Sequence, residues 1–212
     1  KDHNFNQCII PKANVTEGAL IQSIDIIGVA SLEDTILHLT GERTCTPYLY
    51  ESGDYNLHVH QELDFYDVKG QEEVKRALEI AAAGQHNVIM IGPPGSGKTM
   101  MANRIPTILP SLSFEESIEI TKIHSICGLL DTKNHVIHTR PFRAPHHTTT
   151  PTALIGGGRI PKPGETSLAH NGVLFLDELL EFNKKSLDIL RQPLEDHKVT
   201  ISRVNASVTF PA

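Results

Sequence analysis

The run Val88–Thr99, Val-Ile-Met-Ile-Gly-Pro-Pro-Gly-Ser-Gly-Lys-Thr, constrains the fold of this chain more than any other stretch. An apolar, mostly β-branched tetrapeptide reads as a strand. It opens into G-x-x-x-x-G-K-T, the spacing of a phosphate-binding loop between a strand and a helix. Gly92, Gly95 and Gly97 let the backbone curl around Pro93, Pro94 and Ser96, so that several N–H groups converge on one anion. Lys98 supplies a point charge for the β- and γ-phosphates, and the Thr99 hydroxyl is a hard oxygen suited to Mg²⁺. A helix starting at Lys98 adds the positive end of its dipole. A glycine-rich turn without a ligand explains few of these positions; a nucleoside triphosphate site explains all of them.

A second stretch complements the first. Asn171-Gly-Val-Leu-Phe-Leu-Asp-Glu178 reads as a buried strand ending in two carboxylates. Asp177, at the carboxyl end, is placed to reach Mg²⁺, and Glu178 to polarise the water that attacks a γ-phosphate. An acidic strand end is ordinarily just solvated; downstream of a complete phosphate loop it reads as half of a hydrolytic site. Strands alternating with helices, with both features at strand ends, predict an α/β fold: a P-loop NTPase parallel sheet flanked by helices.

Composition narrows the alternatives. The chain has 212 residues, 39% hydrophobic and 21% charged, with a formal net charge of -6. That is the profile of a soluble globular protein without a global basic field, so contact with nucleic acid has to be local. Cys8, Cys45 and Cys127 are scattered and odd in number, which reads as reduced thiols in a cytoplasmic protein. No apolar run is long enough to span a bilayer, and no membrane partner is expected. The start at Lys1 rather than Met reads as a piece of a longer chain.

Ahead of the phosphate loop, Cys8–Pro11, Lys12–Leu20, Ile24–Val29 and a helix N-capped by Ser31 and stopped by Gly41 form a β-α-β-α pattern. Leu32, Ile36, Leu37 and Leu39 are the inward positions of that helix. The pattern is too short to bury a core alone and reads as the tail of a larger domain. The segment 42–64 is aperiodic and reads as a linker. Its His58 and His60 read as solvated, with half a metal site as the alternative. Gln71–Ala83 is an amphipathic helix with Val74, Ala77, Leu78 and Ala81 inward. A helix from Lys98 is bounded by Pro106, Ser113–Glu116 is a capping box, Asn183 N-caps a further helix, and Lys198–Arg203 with Ser207–Phe210 reads as a β-hairpin. Tyr66, Val68 and Gly70 are candidates for the adenine pocket; ordinary packing at a helix entrance explains them equally well. His146 and His147, adjacent on an extended segment, are expected to face opposite ways and to serve hydrogen bonding or subunit contact rather than a metal.

Several stretches together carry a family resemblance. Asp64-Phe-Tyr-Asp-Val-Lys-Gly-Gln71, Gly92–Thr99, Arg140-Pro-Phe-Arg-Ala-Pro-His-His-Thr148 and Ile155-Gly-Gly-Gly158 occur in order. Pro161-Lys-Pro-Gly-Glu165, Ser167–Glu178, Leu190-Arg-Gln-Pro-Leu-Glu195 and Val199-Thr-Ile-Ser-Arg203 follow. From about Phe65 to Ala212 the chain resembles the magnesium-chelatase-like AAA+ family. Gln7–Lys12 and Ile24–Leu39 resemble the closing part of a Lon-protease-like α/β domain, an arrangement typical of the ComM/YifB-type branch. The implied organisation is residues 1–41 as the end of the Lon-like domain, 42–64 as linker and 65–212 as the AAA+ core.

The resemblance implies an ATP- and Mg²⁺-dependent ring motor, a homo-oligomer and typically a hexamer, that drives branch migration or unwinding of branched or single-stranded DNA. Gly92–Thr99 would hold ATP, Thr99 and Asp177 the Mg²⁺, and Lys98 and Glu178 would serve hydrolysis. The segments 155–165 and 199–210 would face the central channel, bringing Arg159, Lys162, Lys198 and Arg203 to DNA phosphates. Any one of these four is equally explained as a surface charge. A magnesium-chelatase motor subunit and a regulator that only signals nucleotide state are the alternatives. The family's polar sensor residue, arginine finger and lid are expected after Ala212. An arginine finger contributes about 10³–10⁵-fold in rate, so this segment alone is expected to bind ATP and turn it over slowly.

Overall fold

A computed structural model of the chain describes residues 5–19, 24–48, 63–130, 136–158, 160–203 and 206–212. The chain divides into two compact units, Lys1–His58 with Asp131–Val136, and Val59–Leu130 with Ile137–Ala212. His58 and His60 lie outside the described residues.

The first unit is built on a parallel pair, β1 (Gln7–Pro11) and β2 (Asp25–Val29), in register from Gln7 opposite Asp25 to Pro11 opposite Val29. The short helix α1 (Val15–Gly18) makes the crossover, Ile26 packs beside its Gly18, and both Ile26 and Ile27 are buried. Helix α2 (Leu32–Thr40) begins where Ser31 Oγ accepts the Asp34 N–H over 3.1 Å and ends at Gly41, whose φ of 79° makes the left-handed cap. Its apolar face differs from expectation: Leu32, Ile36 and Leu39 are exposed. A sheet two strands wide covers only a narrow side of a helix, and here that side carries Leu37 and His38.

In the second unit, helix α3 (Glu72–Ala83) turns Leu78 and Ala82 inward and leaves Val74 exposed, so the buried stripe is rotated from the one periodicity suggested. Leu78 joins Phe65, Val68 and Met101 in a core cluster, with Ile105 and Ile108 packed against it. Met101 belongs to α4 (Lys98–Ala102), so this cluster holds the helix that follows the phosphate loop. Pro106 does not bound that helix. It lies in the first turn of a separate one, α5 (Ile105–Ile108), where a missing N–H costs nothing. Helix α6 (Phe114–Ile126) starts with both arms of the Ser113–Glu116 capping box in place.

The predicted strand over residues 88–91 is the main departure. The run is extended, but it joins none of the four two-stranded ladders, and Ile89 and Ile91 are 72% and 90% exposed. Strand character needs a partner ladder as well as β-branched residues, and among the described residues none lies alongside. The acidic stretch does pair: β3 (Phe142–Arg143) and β6 (Val173–Leu174) run parallel. The Val173 N–H donates to the Pro141 carbonyl and the Phe175 N–H to the Arg143 carbonyl, each over 2.8 Å. The strand is shorter than predicted and half-buried rather than buried.

Between these strands come α7 (Pro151–Ile155), a tight hairpin of β4 (Gly156–Gly157) and β5 (Lys162–Pro163), and α8 (Glu165–Leu168). Gly156 has φ 112°, and a side chain there would collide with the Lys162 carbonyl, so glycine is required for the hairpin to close. Asn183 caps α9 (Lys184–Asp188), α10 (Arg191–Asp196) follows, and β7 (Lys198–Arg203) pairs antiparallel with β8 (Ala206–Pro211) as the sequence predicts. Val199, Ile201 and Phe210 form a second core cluster against which Ile155, at the end of α7, packs, and Gly156 of β4 lies beside Ile201.

Candidate nucleotide-binding site

The phosphate loop is open to solvent and held in shape from within. Gly95 and Gly97 take left-handed φ values of 76° and 85°. Lys98 folds back over the loop, its Nζ donating to the Gly92 carbonyl over 2.8 Å and to that of Pro93 over 3.0 Å. Ser96 Oγ is 3.5 Å from the same nitrogen. An ammonium group held against loop carbonyls marks where an anion's charge would be met. Helix α4 is only five residues long, so its dipole contributes less than a full helix would.

The two halves of the predicted site meet. Thr99 Oγ1 donates to Asp177 Oδ2 over 3.0 Å, although the residues are 78 positions apart. Asp177 Oδ1 accepts the Glu178 N–H over 3.0 Å, so both carboxylate oxygens are oriented. Glu178 follows with φ 51°, a left-handed conformation that costs a non-glycine residue about 1–3 kcal/mol. A hydroxyl and a carboxylate at this separation form the hard oxygen pair that Mg²⁺ takes. Among the described residues no cluster of three or more His, Cys, Asp or Glu suited to another metal occurs.

Other predicted residues fare differently. Tyr66 is 82% exposed, with Lys69 Nζ 5.0 Å above its ring. Gly70 is open, with φ 70°. Val68 is 1% exposed and belongs to the core cluster, which leaves it no surface for a base. Arg159 lies outside the described residues. Lys162 and Lys198 are exposed, and Lys198 and Arg203 occupy opposite ends of β7. His146 and His147 do not point to opposite faces. Their ring centroids are 4.0 Å apart, because the chain turns at this point, with the Thr149 N–H donating to the His146 carbonyl over 2.9 Å.

Gln71 and the Arg143–Glu165 pair are not apparent from the sequence, and His147, expected there to hydrogen-bond, has a neighbour the sequence does not name. Gln71 Nε2 donates to the Ser96 carbonyl over 3.1 Å and ties the segment before α3 to the phosphate loop. His147 Nδ1 lies 3.5 Å from Glu178 Oε2. Arg143 and Glu165 form a two-armed ion pair of 2.6 and 2.7 Å that fastens β3 to the helix after the β4–β5 hairpin. The Glu165 hydrogen bond raises the pKa of Arg143 further. Nearby, burial lowers the pKa of His124 and raises that of Cys127, in each case favouring the neutral form. Gln71, His147 and Arg143 stand within the stretches that carry the family resemblance, and that was the available signal.

A loop with these glycines, its lysine, and a threonine bonded to a strand-end aspartate define a P-loop nucleotide-binding protein. The family described as magnesium chelatase, subunit ChlI, matches residues 64–212. Competence protein ComM of Haemophilus influenzae is 47% identical over 209 residues, covering 97% of this chain and 41% of that one. The uncharacterized protein YifB of Salmonella typhimurium is 55% identical over 149 residues, 70% of this chain and 29% of its own length. This chain therefore spans less than half the length of these relatives. Among solved structures, NtrX of Brucella abortus in complex with ADP aligns with TM-score 0.47 at 17% identity, over 96% of this chain and 41% of that one. The chain belongs to the magnesium-chelatase-like family, in its ComM/YifB-type branch, and is an ATP-binding α/β protein of the AAA+ class. Among the described residues no helix is long and apolar enough to cross a membrane.

Proposed function

We propose that this chain forms the nucleotide-hydrolysing part of a ring-shaped motor that works on branched or single-stranded DNA. The observation that carries the reading is the Thr99–Asp177 hydrogen bond, which joins the phosphate loop to the acidic strand end. In this reading residues 1–41 close a Lon-like domain, 42–64 link it to the ATPase and 65–212 are the AAA+ core.

The loop N–H groups of 92–97 and Lys98 bind and neutralise the phosphates, with Tyr66 and Gly70 at the adenine end. Lys98 leaves the Gly92 and Pro93 carbonyls for the β- and γ-phosphate oxygens. Thr99 and Asp177 would hold Mg²⁺, which when bound screens the phosphate charge and fixes its geometry. Glu178 orients water in line with the γ-phosphate and accepts its proton. Lys162 on β5 and Lys198 and Arg203 at the two ends of β7 meet a nucleic-acid backbone, with Arg159 as a further phosphate contact.

Membership of the family described as magnesium chelatase, subunit ChlI, favours a second reading, a motor subunit that drives Mg²⁺ insertion into a porphyrin. Steady-state ATPase of the full-length protein separates the two. Branched DNA should stimulate turnover severalfold while porphyrin with chelatase partners leaves it unchanged; the reverse pattern favours the chelatase.

A further inference from the structure

Gln71 stands at the N-cap of α3 without capping it, since its side chain makes no hydrogen bond to that helix. Its backbone is left-handed, φ 55°, directly after Gly70 at φ 70°, a conformation that non-glycine residues rarely adopt. The amide reaches instead to the phosphate loop, 25 positions along the chain, where Nε2 donates to the Ser96 carbonyl over 3.1 Å. The same nitrogen lies 3.9 Å from where a Cβ on Gly97 would sit. The carbonyl it holds belongs to the Ser96–Gly97 peptide. In a trans peptide the N–H points opposite to the C=O, so fixing this carbonyl toward Gln71 turns the Gly97 N–H to the other side. That N–H donates to no group among the described residues. Gly97 has φ 85° and no side chain to oppose rotation of the peptide, so a bond from outside the loop is needed to favour one of its two orientations.

We propose that Gln71 is a positioning residue for the phosphate loop: it holds the Ser96–Gly97 peptide so that the Gly97 N–H faces the phosphate chain before nucleotide arrives. Successive N–H groups turned to one side form an anion-binding concavity, and one set in advance does not have to be ordered on binding. This rests on residues 92–99 being the ATP site.

Two replacements in the full-length protein separate positioning from packing. Gln71→Met keeps the length of the side chain and removes the donor, while Gln71→Gly removes the donor and suits the left-handed backbone. Each should weaken ATP binding about 3- to 10-fold, the loss of one neutral hydrogen bond. Inorganic tripolyphosphate, competed against ATP, should lose the same factor, because it meets the loop and carries no base. The bond is solvent-exposed, so the melting temperature of the nucleotide-free protein should be unchanged in Gln71→Met and at or above the parent value in Gln71→Gly. Parent-like ATP affinity in either variant, a loss for ATP without a matching loss for tripolyphosphate, or a melting temperature that falls together with affinity would each overturn the proposal. If tripolyphosphate does not displace ATP from the parent, or Lys98→Ala leaves both affinities unchanged, the phosphate-loop reading itself fails and the proposal with it.

Discussion

Replacing Lys98 with Ala is expected to weaken ATP binding about 10- to 100-fold, the equivalent of one or two charged hydrogen bonds. The lysine is the one cation folded over the loop among the described residues, donating to the Gly92 and Pro93 carbonyls. Those carbonyls are solvent-accessible, so losing the ammonium leaves no buried acceptor unsatisfied and the fold should tolerate the change. The effect then belongs to the ligand rather than to stability. Calorimetric titration alongside thermal unfolding checks both parts. Unchanged affinity would mean that phosphates bind elsewhere, and a large drop in melting temperature would make the lysine structural.

The second large effect is kinetic. Glu178→Gln should leave ATP affinity close to that of the parent and reduce turnover in the full-length protein about 10²–10⁴-fold, the usual contribution of a positioned base. The amide keeps the volume of the carboxylate and cannot accept the proton. Glu178 also holds a left-handed backbone, φ 51°, with its side chain 67% exposed. Strain of this kind concentrates at functional positions. Single-turnover hydrolysis with nucleotide binding measured in parallel checks the split. A variant that loses both equally would place Glu178 in binding.

What could be read from the sequence was local in origin. The capping box at Ser113, the Asn183 cap, the Ser31 cap with its Gly41 stop and the β7–β8 hairpin depend on residues a few positions apart, and each forms as expected. The phosphate loop is local as well. The Thr99–Asp177 meeting is not local, yet it was expected, because parallel strands deliver their carboxyl ends to one side of a sheet. The departures depend on partners distant in the chain. Residues 88–91 have strand composition and no ladder, and the exposed face of α2 has helical periodicity with too little sheet to cover it. Pro106 shows a different limit, since proline breaks one helix and begins another equally well. The His147–Glu178 contact was hidden by the assumption of an extended segment. A turn at Thr148 brings the rings together, and no periodicity encodes that.

Mg²⁺ dependence tests directly whether Thr99 and Asp177 form one Mg²⁺-dependent nucleotide site. ATP affinity should be measured with Mg²⁺ and with the metal chelated away, in the parent chain and in Asp177→Asn, whose amide oxygen can still accept from Thr99 Oγ1. Mg²⁺ should tighten ATP binding in the parent, and Asp177→Asn should lose most of this enhancement while keeping its metal-free affinity. An equal Mg²⁺ enhancement in both proteins would contradict a shared site.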